Sequence, residues 1–329
     1  MQHYQKITFH DTQAKLVEAE LAQVGDEQVL VKTRCSLISP GTERAALLRL
    51  WDDAEFRANP GYALAGDVIA AGRKVRDLAV GDRVIALAGH ASLSVMPADP
   101  WVALKIPPEV SYETATFVVL ASVALHAVRR SQLTLGETYV IIGAGIIGLI
   151  ATQLARWNGA RQVIVLDLAE NRLELARRYG AGLTINPAVE DAAARILAAT
   201  GGKGATAILE ATGNSKVIPE AFKMAAHGGR IVLTGALEEP VAINFHREFI
   251  RRELSLLAAF QPFCPTADNI YWHWTQQANR QLLLELMACG KLRVGELLTH
   301  RFPANEAPVV YERIKRGDVE MLGVLLEWS

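Results

Sequence analysis

The sequence has 329 residues, half of them apolar and 21% charged, a globular composition that excludes disorder as the main state. Lys and Arg number 34 against 35 Asp and Glu, so the net charge is −1 and the basic excess of a nucleic-acid binder is missing. Three scattered cysteines, Cys35, Cys264 and Cys289, are too few for a disulfide framework or a four-thiolate zinc site and fit a reducing compartment.

The opening MQHYQKITFHDTQAK has no apolar stretch of the secretory kind, so a soluble cytoplasmic protein is expected. Residues 1 to about 113 read as β-rich. Short runs at Val29–Lys32, Asp67–Ala70 and Arg83–Ala86 are punctuated by Gly25, Pro40-Gly41, Pro60-Gly61, Gly72 and Gly81-Asp82, the texture of a small barrel or sandwich. Residues 114–135 read as helical. From Glu137 strands alternate with helices: Tyr139–Ile142 and a helix to Asn158, Gln162–Leu166 and Glu170–Tyr179, Ala207–Glu210 and Ile218–Ala226, then Arg230–Thr234. That alternation predicts βαβ units around a parallel sheet. Its strands are continuous apolar runs, as strands covered on both faces should be. Gly159 and Gly180 are expected to cap two of the helices. The last stretch carries a helix over Gln276–Cys289, a turn at Gly290 and a strand over Gly323–Glu327. The uncharged run Thr138–Ala155 is broken by glycines and holds Thr152 and Gln153, so it reads as strand, turn and helix rather than as a membrane span.

The sharpest motif is Tyr139-Val-Ile-Ile-Gly143-Ala-Gly145-Ile-Ile-Gly148-Leu, which follows an apolar strand and opens a helix. Asp167 ends the next strand, 19 residues after Gly148. Together they make the dinucleotide fingerprint. Gly143 permits the turn, Gly145 lets backbone approach a pyrophosphate, and Gly148 lets helix and strand pack closely. The helix start at Ile146 and Ile147 offers N–H groups and a partial positive charge to the phosphates. Asp167 can accept from a free ribose 2′-hydroxyl and would repel a 2′-phosphate, so NAD is expected over NADP; Arg172, one turn on, weakens that preference.

A β-rich N-terminal part, a mid-chain GxGxxG and a C-terminal return resemble the medium-chain dehydrogenase/reductase superfamily. Val80-Gly-Asp-Arg-Val84 is similar to its GDRV turn, Ala211-Thr212-Gly213 to its ATG segment, and Gly228-Gly-Arg-Ile-Val-Leu-Thr-Gly235 to the strand that follows. Arg252-Glu-Leu-Ser-Leu-Leu-Ala-Ala-Phe260 resembles its KELxIxGS element, often at a dimer edge. The resemblance implies an α/β fold: a GroES-like catalytic domain over residues 1–120, completed by 268–329, and a Rossmann cofactor domain over 121–267. It also implies a homodimer, a small-molecule substrate, no nucleic-acid or membrane partner, and cofactor contacts from Ala211, Thr212, Gly235 and Ala259.

The departures are informative. Zinc-dependent members carry GICGTD, then GHE, then a Cys or Glu in the helix leading to the second domain. Here the segments read Ser36-Leu-Ile-Ser39-Pro-Gly41-Thr42-Glu43, Gly61-Tyr62-Ala63 and Phe117–His126, and the four-cysteine lobe is missing. No zinc is therefore expected. The SLISPGTE wording resembles a zinc-free branch that includes the bacteriochlorophyllide hydroxyethyl dehydrogenases.

Without a metal, side chains must manage the hydroxyl proton when an alcohol is oxidised. Tyr62 is the first candidate, because it stands where relatives place a zinc ligand. Thr42 matches a relay hydroxyl, Ser39 can bond substrate, and His90 can point into a cleft. Glu43 is expected to bond backbone or an arginine, and His126 to be a core or interdomain histidine. Phe260, Phe263, Tyr271, Trp272 and Trp274, with Gln261, His273 and Arg280, can form a sugar-binding wall or ordinary packing. The reading is a zinc-independent NAD(H) dehydrogenase interconverting a secondary alcohol, such as a sugar or polyol derivative, and a ketone. The rivals are an NADPH-dependent quinone or enone reductase and a catalytically silent nucleotide-binding redox sensor.

Overall fold

The computed structural model describes residues 2–50, 53–237, 239–270 and 272–329. The chain divides into two units, one of residues 1–120 with 265–329 and one of residues 121–264. The first opens with an antiparallel hairpin, β1 (His3–His10) and β2 (Gln13–Glu20). The long β3 (Gln28–Ile38) follows, then the helices α1 (Pro40–Leu47) and α2 (Ala54–Ala58). Four strands come next: β4 (Leu64–Ala71), β5 (Arg83–Ala86), β6 (Leu93–Pro97) and β7 (Ala103–Lys105). Helix α3 (Tyr112–Arg130) runs into the second unit.

The second unit alternates as its sequence predicts: β8 (Thr138–Ile142), α4 (Ile146–Trp157), β9 (Gln162–Leu166), α5 (Glu170–Arg178), β10 (Leu183–Ile185), α6 (Ala192–Ala199), β11 (Ala205–Glu210), α7 (Ile218–Met224), β12 (Ala225–Leu233) and β13 (Ser255–Ala258). All its strand pairs are parallel, in the order β10-β9-β8-β11-β12-β13. Strand order reverses between β8 and β11, which in a doubly wound sheet opens a crevice at their carboxyl ends. Every residue of β8 is buried, because helices cover both faces of such a sheet.

The chain then returns to the first unit through α8 (Gln276–Ala288), β14 (Leu298–Pro303), α9 (Ala307–Lys315) and β15 (Gly323–Glu327). There β15 pairs with β3 on one side and β14 on the other, in a sheet ordered β14-β15-β3-β4-β5-β7 with β6 on β3. A core of Ile7, Phe9, Ile38, Leu47, Tyr311, Val324, Leu326 and Trp328 joins both ends of the sequence. Among the described residues no helix is long and apolar enough to cross a membrane.

Some boundaries differ from expectation. The helix read as far as residue 135 stops at Arg130: the Ser131 hydroxyl donates to the Val128 carbonyl at 2.6 Å, and Gln132 adopts a φ of 49°. The helix read over Ile218–Ala226 ends at Met224, because Ala225 already pairs with Ala205 as the first residue of β12.

Candidate functional site

Strand register gathers the predicted nucleotide residues. Ile142 of β8 is level with Leu166 of β9 and Glu210 of β11; Glu210 is level with Leu233 of β12, and Leu233 with Ala258 of β13. Gly143, Asp167, Ala211, Thr234 and Ala259 therefore leave the sheet along one edge, at the switch point. Gly143 has a φ of 104°, and a Cβ on Gly148 would lie 1.8 Å from the Gly143 carbonyl oxygen, so both must be glycine. Around Gly145, by contrast, nothing lies within 4 Å of where a Cβ would be. Gly145 is also the N-cap of α4, with Ile146 and Ile147 in its first turn. An open space before a helix N-terminus is the cradle a pyrophosphate needs, so these residues fit a dinucleotide.

The Asp167 carboxylate braces that loop, accepting from the Ala144 N–H at 2.7 Å and the Ala169 N–H at 2.9 Å. Arg172 sits in the first turn of α5. Ala211 donates its N–H to the Ile142 carbonyl, and Ala259 its N–H to the Leu233 carbonyl, both at 2.9 Å. Gly235 packs against the Gly213 backbone, where a Cβ would come 2.3 Å from the Gly213 nitrogen. Glu210 was not among the expected residues. It is fully buried, and its Oε1 takes the Thr212 N–H, the Thr212 hydroxyl and the Gly213 N–H. A lone acidic residue closing an apolar strand beside Ala211-Thr212-Gly213 was the signal for it.

The first unit holds the second cluster. Ser39 is the N-cap of α1, but its hydroxyl caps nothing. Glu43 reaches back instead, accepting the Ser39 N–H at 2.7 Å. The freed Ser39 hydroxyl accepts from the Tyr62 phenol at 2.6 Å, and Thr42 Oγ1 lies 3.4 Å from both. The three predicted hydroxyls therefore meet. Burial pushes the Tyr62 pKa up; its hydrogen bonds with Ser39 and Thr42 oppose this, and the Glu43 charge reinforces it. At neutral pH the phenol is protonated.

His90 does not join this group. Only 1% exposed, it places Nδ1 2.7 Å from the Ser36 hydroxyl and Nε2 3.0 Å from Glu43 Oε2, so neither ring nitrogen is open to a ligand. Gly61 lies directly over the ring, where a Cβ would come within 2.5 Å. Tyr311 also donates to Glu43 Oε2, and the Trp328 indole N–H donates to Ser36 at 2.9 Å. Glu43 thus bonds a backbone N–H as expected, but a histidine and a tyrosine rather than an arginine. Removing one member of this buried hydrogen-bond network leaves its partners unsatisfied, at about 1–3 kcal/mol for each.

The aromatic stretch is only partly a wall. Phe260 and Phe263 are exposed and meet edge to face at 5.2 Å, and Trp274 is exposed. The Trp272 indole is tied to the Trp274 carbonyl at 2.8 Å, and His273 faces Asp268 at 3.1 Å. Arg280 is buried and bonds the Trp101 carbonyl and Gln276, so it is a structural residue. Tyr271 lies outside the described residues.

Residues 147–268 match the family model for zinc-binding dehydrogenases. An erythritol/L-threitol dehydrogenase of Mycolicibacterium smegmatis is 34% identical over 217 residues, 66% of this chain and 56% of that protein. A D-guloside 3-dehydrogenase of Escherichia coli is 31% identical over 242 residues, 72% of this chain and 68% of that protein. The chain belongs to the zinc-binding dehydrogenase family, within the medium-chain dehydrogenase/reductase superfamily. Two solved structures share the fold of this dehydrogenase over at least 99% of each chain. They are an E. coli alcohol dehydrogenase complexed with NADH (TM-score 0.82, 22% identity) and a Sinorhizobium meliloti dehydrogenase bound to NADP (TM-score 0.80, 23% identity). The β-rich unit is GroES-like and the parallel unit is Rossmann-like.

The family name implies zinc, and the donor set here does not fit it. Zinc takes thiolate, imidazole or carboxylate ligands. The matched positions offer the neutral hydroxyls of Ser39 and Tyr62 and the methyl of Ala63, and among the described residues no three His, Cys, Asp or Glu side chains gather.

Proposed function

We propose that this chain is an NAD(H)-dependent dehydrogenase that interconverts a secondary alcohol and a ketone without zinc, on a sugar or polyol derivative. One observation carries the reading: Tyr62, Ser39 and Thr42 form a hydrogen-bonded trio at the positions that the family resemblance gives to a metal ligand or relay hydroxyl. The names of the M. smegmatis and E. coli relatives support the substrate class. Asp167, fixed against the glycine loop, supports NAD, since a 2′-phosphate would meet its carboxylate. Hydroxyls rather than a thiolate and an imidazole at Ser39 and Tyr62 support a reaction without zinc.

A bound nicotinamide supplies or accepts the hydride. The chain's residues handle the proton. The Tyr62 phenol hydrogen-bonds the substrate oxygen, donating to it as a carbonyl becomes an alcohol. In the opposite direction Tyr62 takes the substrate proton as its own passes to Ser39 Oγ, Ser39 releases its hydroxyl proton to Thr42 Oγ1, and half-buried Thr42 releases one to water; in carbonyl reduction the same chain runs backward and reprotonates Tyr62. A neutral, half-buried phenol suits this shared transfer better than a standing phenolate base.

The test is Tyr62→Phe, assayed with NAD(H) on a secondary alcohol or ketone found by screening sugars and polyols. Folding and NADH affinity should persist while turnover falls roughly 10²–10³-fold, as for other preorganised donors. Turnover near wild type would assign Tyr62 to packing and overturn the mechanism.

A further inference from the structure

Glu210 closes β11 with a carboxylate that is 0% exposed. Its neighbours in register are Ile142 and Leu233, so it stands at the root of three loops: the glycine loop after Gly143, the turn Ala211–Gly213, and Thr234-Gly235. Oε1 accepts three bonds, from the Thr212 N–H at 2.6 Å, the Thr212 hydroxyl at 2.5 Å and the Gly213 N–H at 3.0 Å. Oε2 lies against Gly235, where a Cβ would come within 2.6 Å of it. Burial raises the Glu210 pKa above the usual carboxylate value, and the donors of Thr212 and Gly213 oppose the rise, while Oε2 has no hydrogen-bond partner among the described residues.

Holding the turn requires an acceptor, which a neutral amide carbonyl also provides. A negative charge adds a desolvation cost that the three donors at Oε1 offset only in part. The three loops at this edge are those fitted above to a dinucleotide. Of the two redox forms of that cofactor, only the oxidised nicotinamide carries a positive charge.

We infer that Glu210 is a positioning residue for the Ala211–Gly213 turn whose buried charge makes the site prefer the oxidised over the reduced cofactor. This rests on the nucleotide-binding part of the proposed function and on no substrate.

Calorimetric titration of the full chain with NAD⁺, NADH and ADP-ribose tests it, in wild type and Glu210→Gln. Unit charges about 10 Å apart at an effective dielectric of about 20 change binding roughly tenfold, so E210Q should weaken NAD⁺ about three- to tenfold relative to NADH and leave ADP-ribose nearly unchanged. Equal shifts in NAD⁺ and NADH, or no shift, overturn the inference. Glu210→Asp keeps the charge and disturbs the turn, so all three affinities should fall together at the wild-type NAD⁺/NADH ratio. A changed ratio in E210D would mean geometry rather than charge, and it decides the matter even where E210Q does not fold. Failure of ADP-ribose to bind wild type removes the nucleotide site, and the inference with it.

Discussion

Ser39 shows how an N-cap residue can leave its hydroxyl to a neighbour and keep an ordered site. Because Glu43 satisfies its backbone N–H, its hydroxyl is free to meet Tyr62. Glu43 is in turn fixed by His90 and Tyr311, so the polar geometry is set by buried hydrogen bonds. His126, on α3, is a different kind of histidine. Burial and the nearby Arg129 and Arg130 charges lower its pKa to about 4. The folded chain therefore binds fewer protons there than the unfolded one between pH 6.5 and 4. The neutral ring's contribution to stability is complete above pH 6.5 and is lost as pH falls toward 4. Melting temperatures from pH 7 to 4 should consequently fall less steeply for His126→Gln than for wild type; parallel curves would place the titration elsewhere.

At the scale of elements, the glycine loop separates folding from binding. A methyl on Gly148 collides with the loop itself, whereas one on Gly145 meets no protein atom. Gly145→Ala should fold with a loss of about 1 kcal/mol or less, as a change of N-cap. Its NADH affinity should drop at least about tenfold, the equivalent of one hydrogen bond to phosphate. Unchanged NADH fluorescence titration in this variant would show that the open space is not where phosphate sits. This loop was legible because its spacing is local and its strands are apolar on both faces. The hairpin β1–β2 was not resolved into strands, because it buries little besides Ile7, Phe9 and Ala14. The three-residue β10 and the helices α6 and α9 also escaped notice, being short and flanked by weak signals. Tyr62, Thr42 and Ser39 could be named singly, but their meeting depends on packing between α1 and the approach to β4. The burial of His90 was hidden for a similar reason: its partner Ser36 is bonded by Trp328, 292 positions away along the chain.

For the whole molecule, the family name and the donor set make opposite forecasts, and elemental analysis separates them. The purified protein should carry less than about a tenth of an equivalent of zinc, since hydroxyls replace the thiolate and imidazole of the matched positions. A stoichiometric content that chelators remove together with activity would refute this. The pairing of β3 with β15 has a consequence for how the protein is made. The Rossmann-like unit is one uninterrupted stretch, complete in sequence at residue 264. The GroES-like unit includes residues 1–120, yet Cys35–Ile38 of β3 lack their β15 neighbour until residues 323–327 leave the ribosome, and Ser36 waits for Trp328. The unit to which residues 1–120 belong is therefore finished after residues 121–264, and a stop codon before residue 323 would damage the GroES-like unit while sparing the Rossmann-like one.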